Sequence, residues 1–250
     1  MKLMLAGDTH GQLMHWQYLI GQAIKVPVKR IFVLGDFGYW EHMDDRYLHK
    51  LSRMLRYEGL TCYFLDGNHE NHPLLWERYT DTDDEGFVIV RDNILYSPRG
   101  HRWTWNGVSF LSVGGAYSVD KDRRIEGKSW WPTEMITEDD VKLAIDGGKV
   151  DVLLSHDAPA HVDIGTYMYS AGKMFNMKFD DQTKLNRERL HEIVVVTSPD
   201  YVFHGHWHLR YMDDRFQLDG HSVRVEGLDC HNTFQDSWKI IHLSDRKDRL

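Results

Sequence analysis

The chain has 250 residues, 42% hydrophobic and 27% charged, which suits one large α/β domain with a buried core, expected here to span residues 1–250. Its net charge of −8 argues against strong non-specific nucleic-acid binding, which needs a basic surface, but not against phosphate substrates, because bound cations can dominate the local field. Two cysteines far apart make no disulfide framework, no apolar stretch approaches the roughly 20 residues of a membrane span, and Asp8 and His10 interrupt the N-terminus too early for a signal peptide; a cytoplasmic location is expected.

Lys2–Ala6 is a short apolar run and predicts a strand. Residues 12–24 carry Leu13, Trp16, Leu19, Ile20 and Ala23 at helical spacing. Arg30–Leu34 predicts a second strand and residues 43–57 a second helix, with Met43, Tyr47, Leu48, Leu51, Met54 and Leu55 on one face. Thr61–Leu65 predicts a strand, and residues 74–79 a short helix. This βαβαβ order implies right-handed crossovers and a parallel core sheet. Residues 87–90, 101–105 and 108–113 then read as short strands, with Asn106-Gly107 as a two-residue hairpin turn. Helices are expected at 137–145 and 185–196, and strands at 151–155, 201–204 and 238–243. Residues 211–226 read as two antiparallel strands joined near Asp219-Gly220. Segments 117–134 and 160–184 lack periodicity and are candidate substrate-covering loops.

Five of the predicted strands end in metal-binding residue types. Gly7-Asp8-Thr9-His10 follows the first, Gly35-Asp36 the second, and Gly67-Asn68-His69-Glu70 the third; His156 and His206-Trp207-His208 follow two later ones. In open α/β sheets, ligands bind beyond the carboxyl ends of the strands. Asp8 and His10, like His206 and His208, are two apart and point the same way from extended chain. A carboxylate such as Asp36 can bridge two cations, which an imidazole cannot. The mixed N and O set suits borderline divalent metals, Mn²⁺ first, with Fe or Zn also acceptable. Two such ions a few ångströms apart are apparatus for phosphoester hydrolysis.

The blocks D-x-H, G-D, G-N-H-E, a lone His behind a strand, and G-H-x-H occur in this order between Asp8 and His208. On these blocks the chain resembles the calcineurin-like metallophosphoesterases. The resemblance implies an α/β fold, a β-sandwich of two mixed sheets flanked by helices, with a dinuclear metal site. It assigns Asp8, His10 and His208 to one ion, Asn68, His156 and His206 to the other, and Asp36 to both. It implies attack on phosphorus by a metal-bridging hydroxide and makes His69 the catalytic residue, a general acid that protonates the leaving alkoxide.

One departure matters. Protein Ser/Thr phosphatases of this family carry G-D-x-x-D-R-G, where the Arg grips phosphate; here Tyr39 and Trp40 replace that Asp and Arg. Replacement contacts are sought in the irregular segments. Lys121, Arg123 and Arg124 offer cations, and Trp130 and Trp131 offer faces on which a base could stack. Arg123, Arg124 and His204 are the substrate-binding candidates. The Met- and aromatic-rich stretch 168–179 reads as core or lid packing. His15, His42, His49, His191, His221 and His242 read as structural, and His72 lies closer to the motifs.

The function expected is hydrolysis of small phosphate esters, most simply by a nucleotide phosphodiesterase. The alternatives are a nuclease or DNA-repair phosphoesterase, disfavoured by the negative charge, and a Ser/Thr protein phosphatase, disfavoured by Tyr39 and Trp40. A non-catalytic interaction scaffold ranks last, because all seven ligand positions and His69 are present. The partners expected are a small phosphate ester or nucleotide and no membrane.

Overall fold

The structure is a computed structural model, and it describes residues 1–40, 45–172, 180–218 and 220–244. The first half is β1 (Lys2–Ala6), α1 (Leu13–Lys25), β2 (Arg30–Leu34), α2 (Asp45–Tyr57), β3 (Thr61–Leu65) and α3 (His72–Arg78). It continues with β4 (Val88–Arg91), β5 (Ile94–Tyr96), β6 (Arg102–Trp105) and β7 (Val108–Val113). The second half is α4 (Glu138–Asp146), β8 (Val152–Ser155), α5 (Ile164–Ser170), α6 (Asp181–Thr197), β9 (Tyr201–His204), β10 (Tyr211–Leu218), β11 (His221–Gly227) and β12 (Trp238–His242).

One sheet has the order β12-β1-β2-β3-β5-β4 and the other β10-β11-β9-β8-β7-β6. In each, four central strands are parallel and both outer strands antiparallel. This is the α/β sandwich of two mixed sheets. The alternation of β1 shows how it forms. Leu3 and Leu5 face the other sheet, while Met4 and Ala6 face α1 and α2. Phe32, Phe110 and Phe203 fill the space between the sheets, fully or almost fully buried, each contributing about 1.5–3 kcal/mol. Two further cores lie outside the sandwich. Trp16, Leu19, Leu51 and Leu55 pack helices on the first sheet, and Val141, Leu190 and Val194 pack α4 and α6 on the second.

The local signals act as their chemistry dictates. Thr137 caps α4 in a reciprocal pair with Asp140, satisfying two otherwise orphaned N–H groups. The Asn106-Gly107 turn takes left-handed backbone at both residues, at φ 50° and 78°. Three expectations change. Strand β5 is only three residues long, too short for a periodic signal, and pairs in parallel with β3. Segment 160–184 contains α5, begun by the Asp163 side chain accepting from the Thr166 N–H, and the first turn of α6. Segment 117–134 contains two 3₁₀ turns, Lys121–Arg123 and Pro132–Glu134. The expected helical residue Met43, the turn residue Asp219, His42 and residues 173–179 of the Met-rich stretch lie outside the described residues. Among the described residues, no helix is long and apolar enough to cross a membrane.

Candidate metal centre

Strands β1, β2, β3, β8 and β9 end beside one another, and their following residues meet in one crevice. His10, Asp36, His206 and His208 all adopt left-handed backbone, at φ 45°, 47°, 65° and 48°. Side-chain-bearing residues avoid this region, and strained positions cluster at functional sites. Gly67 is required by close approach, since a Cβ there would lie 2.1 Å from Asp36 Oδ1.

Among the described residues, three groups of ligand atoms could each hold one ion: Asp8, His10 and His208; His10, Asp36 and His69; and Asp8, Asp36 and His156. Asp36 belongs to two of them and faces ligands on both sides. Its Oδ2 lies 3.3 Å from His10 Nε2, and its Oδ1 3.5 Å from His156 Nε2. His206 Nδ1 and His156 Nε2 lie 3.1 and 3.0 Å from Asn68 Oδ1. His156 Nδ1 lies 2.7 Å from the Leu34 carbonyl, so Nδ1 is the donor and in the neutral ring Nε2 keeps its lone pair. An imidazole lone pair, an amide oxygen and a carboxylate oxygen then face one another with no proton between them. Across the crevice, the buried Asp8 Oδ2 is 2.9 Å from His208 Nε2. Converging lone pairs of this kind fit cations, with backing groups that orient the ligands.

Electrostatics agree. Burial works against the Asp36 carboxylate, but His69, His156 and His10 hold its pKa well below the usual range. Burial pushes His206 down to about 4, leaving it a neutral ligand. Burial also opposes a charged His208, yet Asp8 and Cys230 pull its pKa up to about 11.

The Glu70 carboxylate, fully buried, accepts from the Gly38 N–H at 2.9 Å and the Gly67 N–H at 2.5 Å, tying the Asp36 and Asn68 loops together. Asn68 Nδ2 donates to Ser118 Oγ at 2.9 Å, so its oxygen is turned toward the two imidazoles. Trp207 donates to the buried Asp157 at 2.9 Å, which fixes the turn between His206 and His208.

His69 stands at the side of this cluster. Its backbone N–H donates to Asp36 Oδ1 at 3.0 Å, and its Nε2 accepts from Arg124 Nη2 at 3.0 Å. Arg124 is held by both carboxylate oxygens of Asp120, at 2.6 and 2.7 Å, and by the Ser129 carbonyl. Burial and Arg124 both lower the His69 pKa. Tyr39, in the place of the missing Asp, turns into the core against Tyr79.

A cleft of about 670 Å³ opens over Asp36, Asn68, His69, His206 and His208, walled by Val119, Met168 and Trp207, with Arg123 and Arg124 on its rim. A larger groove of about 980 Å³ lies between α1 and α2, but none of the three ligand groups reaches it. The expected base platform is not offered. Trp131 is 5% exposed, and Lys121 Nζ sits 4.3 Å from the Trp130 ring centre. His204 does not line the cleft either; it is fully buried, with Nδ1 2.9 Å from the Gly205 carbonyl and Nε2 2.5 Å from the Tyr211 hydroxyl. His72 is buried against the Gly67 carbonyl at 2.8 Å. Sequence reasoning missed Ser118, Asp120, Glu134 and His231, which reach the site from irregular segments. Only Glu70 and Asp157 stood beside a motif, where a buried carboxylate could have been suspected.

A family model described as calcineurin-like phosphoesterase matches residues 1–210. No curated protein matches the chain by sequence. Among solved structures, the protein TT1561 of Thermus thermophilus superposes with a TM-score of 0.55 at 12% identity, over 98% of this chain and 99% of its own. A dimetal phosphatase from Danio rerio superposes with a TM-score of 0.55 at 11% identity, over 97% of this chain and 92% of its own. At such identities the likeness is one of fold.

Proposed function

The chain belongs to the calcineurin-like phosphoesterases, and from that premise we propose that it hydrolyses small phosphate diesters, of the nucleotide class first, with two divalent cations. Asp8, His10 and His208 would hold one cation, Asn68, His156 and His206 the other, and Asp36 both. The donors are imidazole, carboxylate and amide with no thiolate, which favours Mn²⁺ and admits Fe or Zn. When bound, the cations supply an activated water and neutralise charge on the phosphoryl oxygens.

The chain's own groups supply the rest. One observation carries the reading: Arg124, clamped by Asp120, donates to His69 Nε2 beside the Asp36 carboxylate. Arginine only donates, so this Nε2 holds a lone pair while Arg124 is on it. A phosphoryl oxygen entering the cleft is a better acceptor for the guanidinium than a neutral ring. Arg124 then turns to the phosphate, and Nε2 is free to take a proton from solvent and give it to the leaving oxygen as that oxygen's bond to phosphorus breaks. Asp120 and Arg124 thus serve where protein phosphatases use the Asp and Arg that Tyr39 and Trp40 replace.

Diesters suit this site because they carry one negative charge, and one held guanidinium beyond the cations is enough for it. The apolar wall of Val119, Met168 and Trp207 suits the second ester group. A phosphomonoesterase is the second reading. Arg123 lines the cleft with no side-chain partner among the described residues, and an extra cation favours a dianion; the Danio rerio relative is a dimetal phosphatase. The net charge of −8 disfavours the nuclease reading.

The test is turnover of bis-p-nitrophenyl phosphate, p-nitrophenyl phosphate, single-stranded DNA and a phosphoserine peptide, each with Mn²⁺ and with chelator. Mn²⁺-dependent turnover highest on the diester is expected. Faster monoester turnover supports the second reading, and no turnover of any ester would leave only a scaffold.

A further inference from the structure

Segment 229–231 follows β11, outside the region the family model matches. It runs against the end of β1. Gly7 allows the contact, since a Cβ there would lie 2.1 Å from the Asp229 carbonyl oxygen. The His231 N–H donates to the Asp8 carbonyl at 2.9 Å, and the Cys230 N–H to Asp229 Oδ1 at 2.7 Å. The segment is therefore packed on Gly7 through Asp229 and hydrogen-bonded to Asp8 through His231, with its own Cys230–Asp229 turn between them.

From this platform His231 Nδ1 meets His10 Nδ1 at 3.1 Å, with the two rings 72° apart. Two imidazole nitrogens at that distance bond only when one carries the proton and the other a lone pair. His10 presents its other nitrogen, Nε2, to Asp36 Oδ2. To offer a lone pair there, His10 must keep its proton on Nδ1. His231 Nδ1 is then the acceptor, and His231 carries its own proton on Nε2.

We propose that His231 is a positioning residue for the first cation, fixing the tautomer and ring orientation of His10. The inference rests on reading Asp8, His10 and His208 as holders of one cation. Ligating histidines usually donate their second N–H to a carboxylate, a carbonyl or water. A neutral imidazole in that role orients the ligand without adding negative charge behind it.

The test uses His231→Leu and His231→Asn in the full chain. Asn places an amide oxygen close to the position of Nδ1, and Leu offers no acceptor. Binding of two Mn²⁺ ions is read by calorimetry, the coordination of substituted Co²⁺ by its visible spectrum, and folding by melting in chelator. His231→Leu is expected to weaken the first ion by about 10–100-fold and leave the second unchanged. His231→Asn is expected to recover most of that loss, with both variants melting like wild type in chelator. Two ions bound by His231→Leu as tightly as by wild type would overturn the inference, as would equal losses in Leu and Asn. A wild type that binds fewer than two ions overturns the underlying reading of the site instead. Should His231→Leu not fold, the ring ¹⁵N shifts of the wild type decide: a protonated His10 Nδ1 facing an unprotonated His231 Nδ1 supports the proposal, and the reverse arrangement overturns it.

Discussion

Ser118 Oγ accepts from Asn68 Nδ2 at 2.9 Å and donates its own proton to Glu134 Oε2 at 2.5 Å. Glu134 also accepts the Ser118 N–H at 3.1 Å. The backbone around Glu134 is in turn held by the buried Arg99, which donates to the Thr133, Glu134 and Met135 carbonyls and pairs with Asp66 at 2.8 Å. This chain decides which way the Asn68 amide faces. Reversing the amide would aim its NH₂ at His156 Nε2 and His206 Nδ1 and remove the oxygen from the second group of ligands.

Ser118→Ala should therefore weaken the second cation by about 10–100-fold, the usual scale for a backing group of a metal ligand, and leave the first unaffected. Glu134→Gln should do less, because its amide oxygen still accepts from Ser118. Calorimetry with Mn²⁺ separates the two sites. Equal weakening of both ions by Ser118→Ala would mean that the crevice as a whole had shifted.

Metal stoichiometry is the next expectation. Saturating Mn²⁺ should give about two equivalents per chain, and Asp8→Ala or His208→Ala about one. The sign of the proton linkage follows from His208, which Asp8 and Cys230 hold up to about 11 against its burial. Without a cation this ring is protonated at pH 8, and it must lose that proton to ligate. Uptake should therefore release roughly one proton at pH 8, read from titrations in buffers of different ionisation enthalpy. His208→Ala should lower that release by the share His208 supplies. An undiminished release in the variant assigns the proton to another group.

How much of this was legible in the sequence follows from where each contact comes from. Asp8, Asp36, Asn68, His156 and His206 each sit directly behind an apolar run, so strand prediction alone brought them to one edge. Their backing groups have no such marker. His10 and His231 meet across 221 positions of sequence, and Asn68 and Ser118 across 50, both through segments without periodicity. Arg123 and Arg124 are equivalent on paper. Only the 3₁₀ turn at Lys121–Arg123 separates them, sending Arg124 onto Asp120 and His69 and Arg123 to the cleft rim. Trp131 looked like a base platform because two adjacent Trp in a loop suggest exposure, yet the turn at Pro132 folds it inward. Helix α5 escaped because seven residues with two buried apolar positions are too few to show a period.

His69→Gln should leave both metals bound and lower turnover by roughly 10²–10⁴-fold, the range for a general acid. The loss should shrink as the leaving group improves, because p-nitrophenolate needs little protonation. A loss independent of leaving-group pKa would give His69 a different role.

Arg124→Ala should lower kcat/KM by about 1–3 kcal/mol, the scale of a charged hydrogen bond, with metal content intact. Asp120→Asn should act in the same direction through the loosened guanidinium. The pair should couple, so that the double variant is less impaired than the sum of the singles. Strict additivity would separate Asp120 from the action of Arg124.

The last expectation concerns stability against pH. Burial pushes His72 down to about 4, against the raising effect of Asp66, while its Nε2 donates to the Gly67 carbonyl. In the unfolded chain the ring titrates near an ordinary value of about 6.5. The folded pKa is the depressed one, so the unfolded chain binds the extra proton. The stability His72 contributes is complete above about pH 6.5 and is lost as pH falls toward 4. A shift of this size corresponds to about 3 kcal/mol. His204, equally buried and also pushed down to about 4, adds a second loss over the same window. Buried Glu70 and Glu134, whose pKa values burial raises, also titrate in this range, so urea unfolding in chelator at pH 7 and pH 4.5 is compared between wild type and His72→Gln to read the His72 share. His72→Gln keeps an N–H for the Gly67 carbonyl and removes the titration, so it should flatten this dependence while changing stability at pH 7 little. An unaltered slope in His72→Gln would place the acid sensitivity elsewhere.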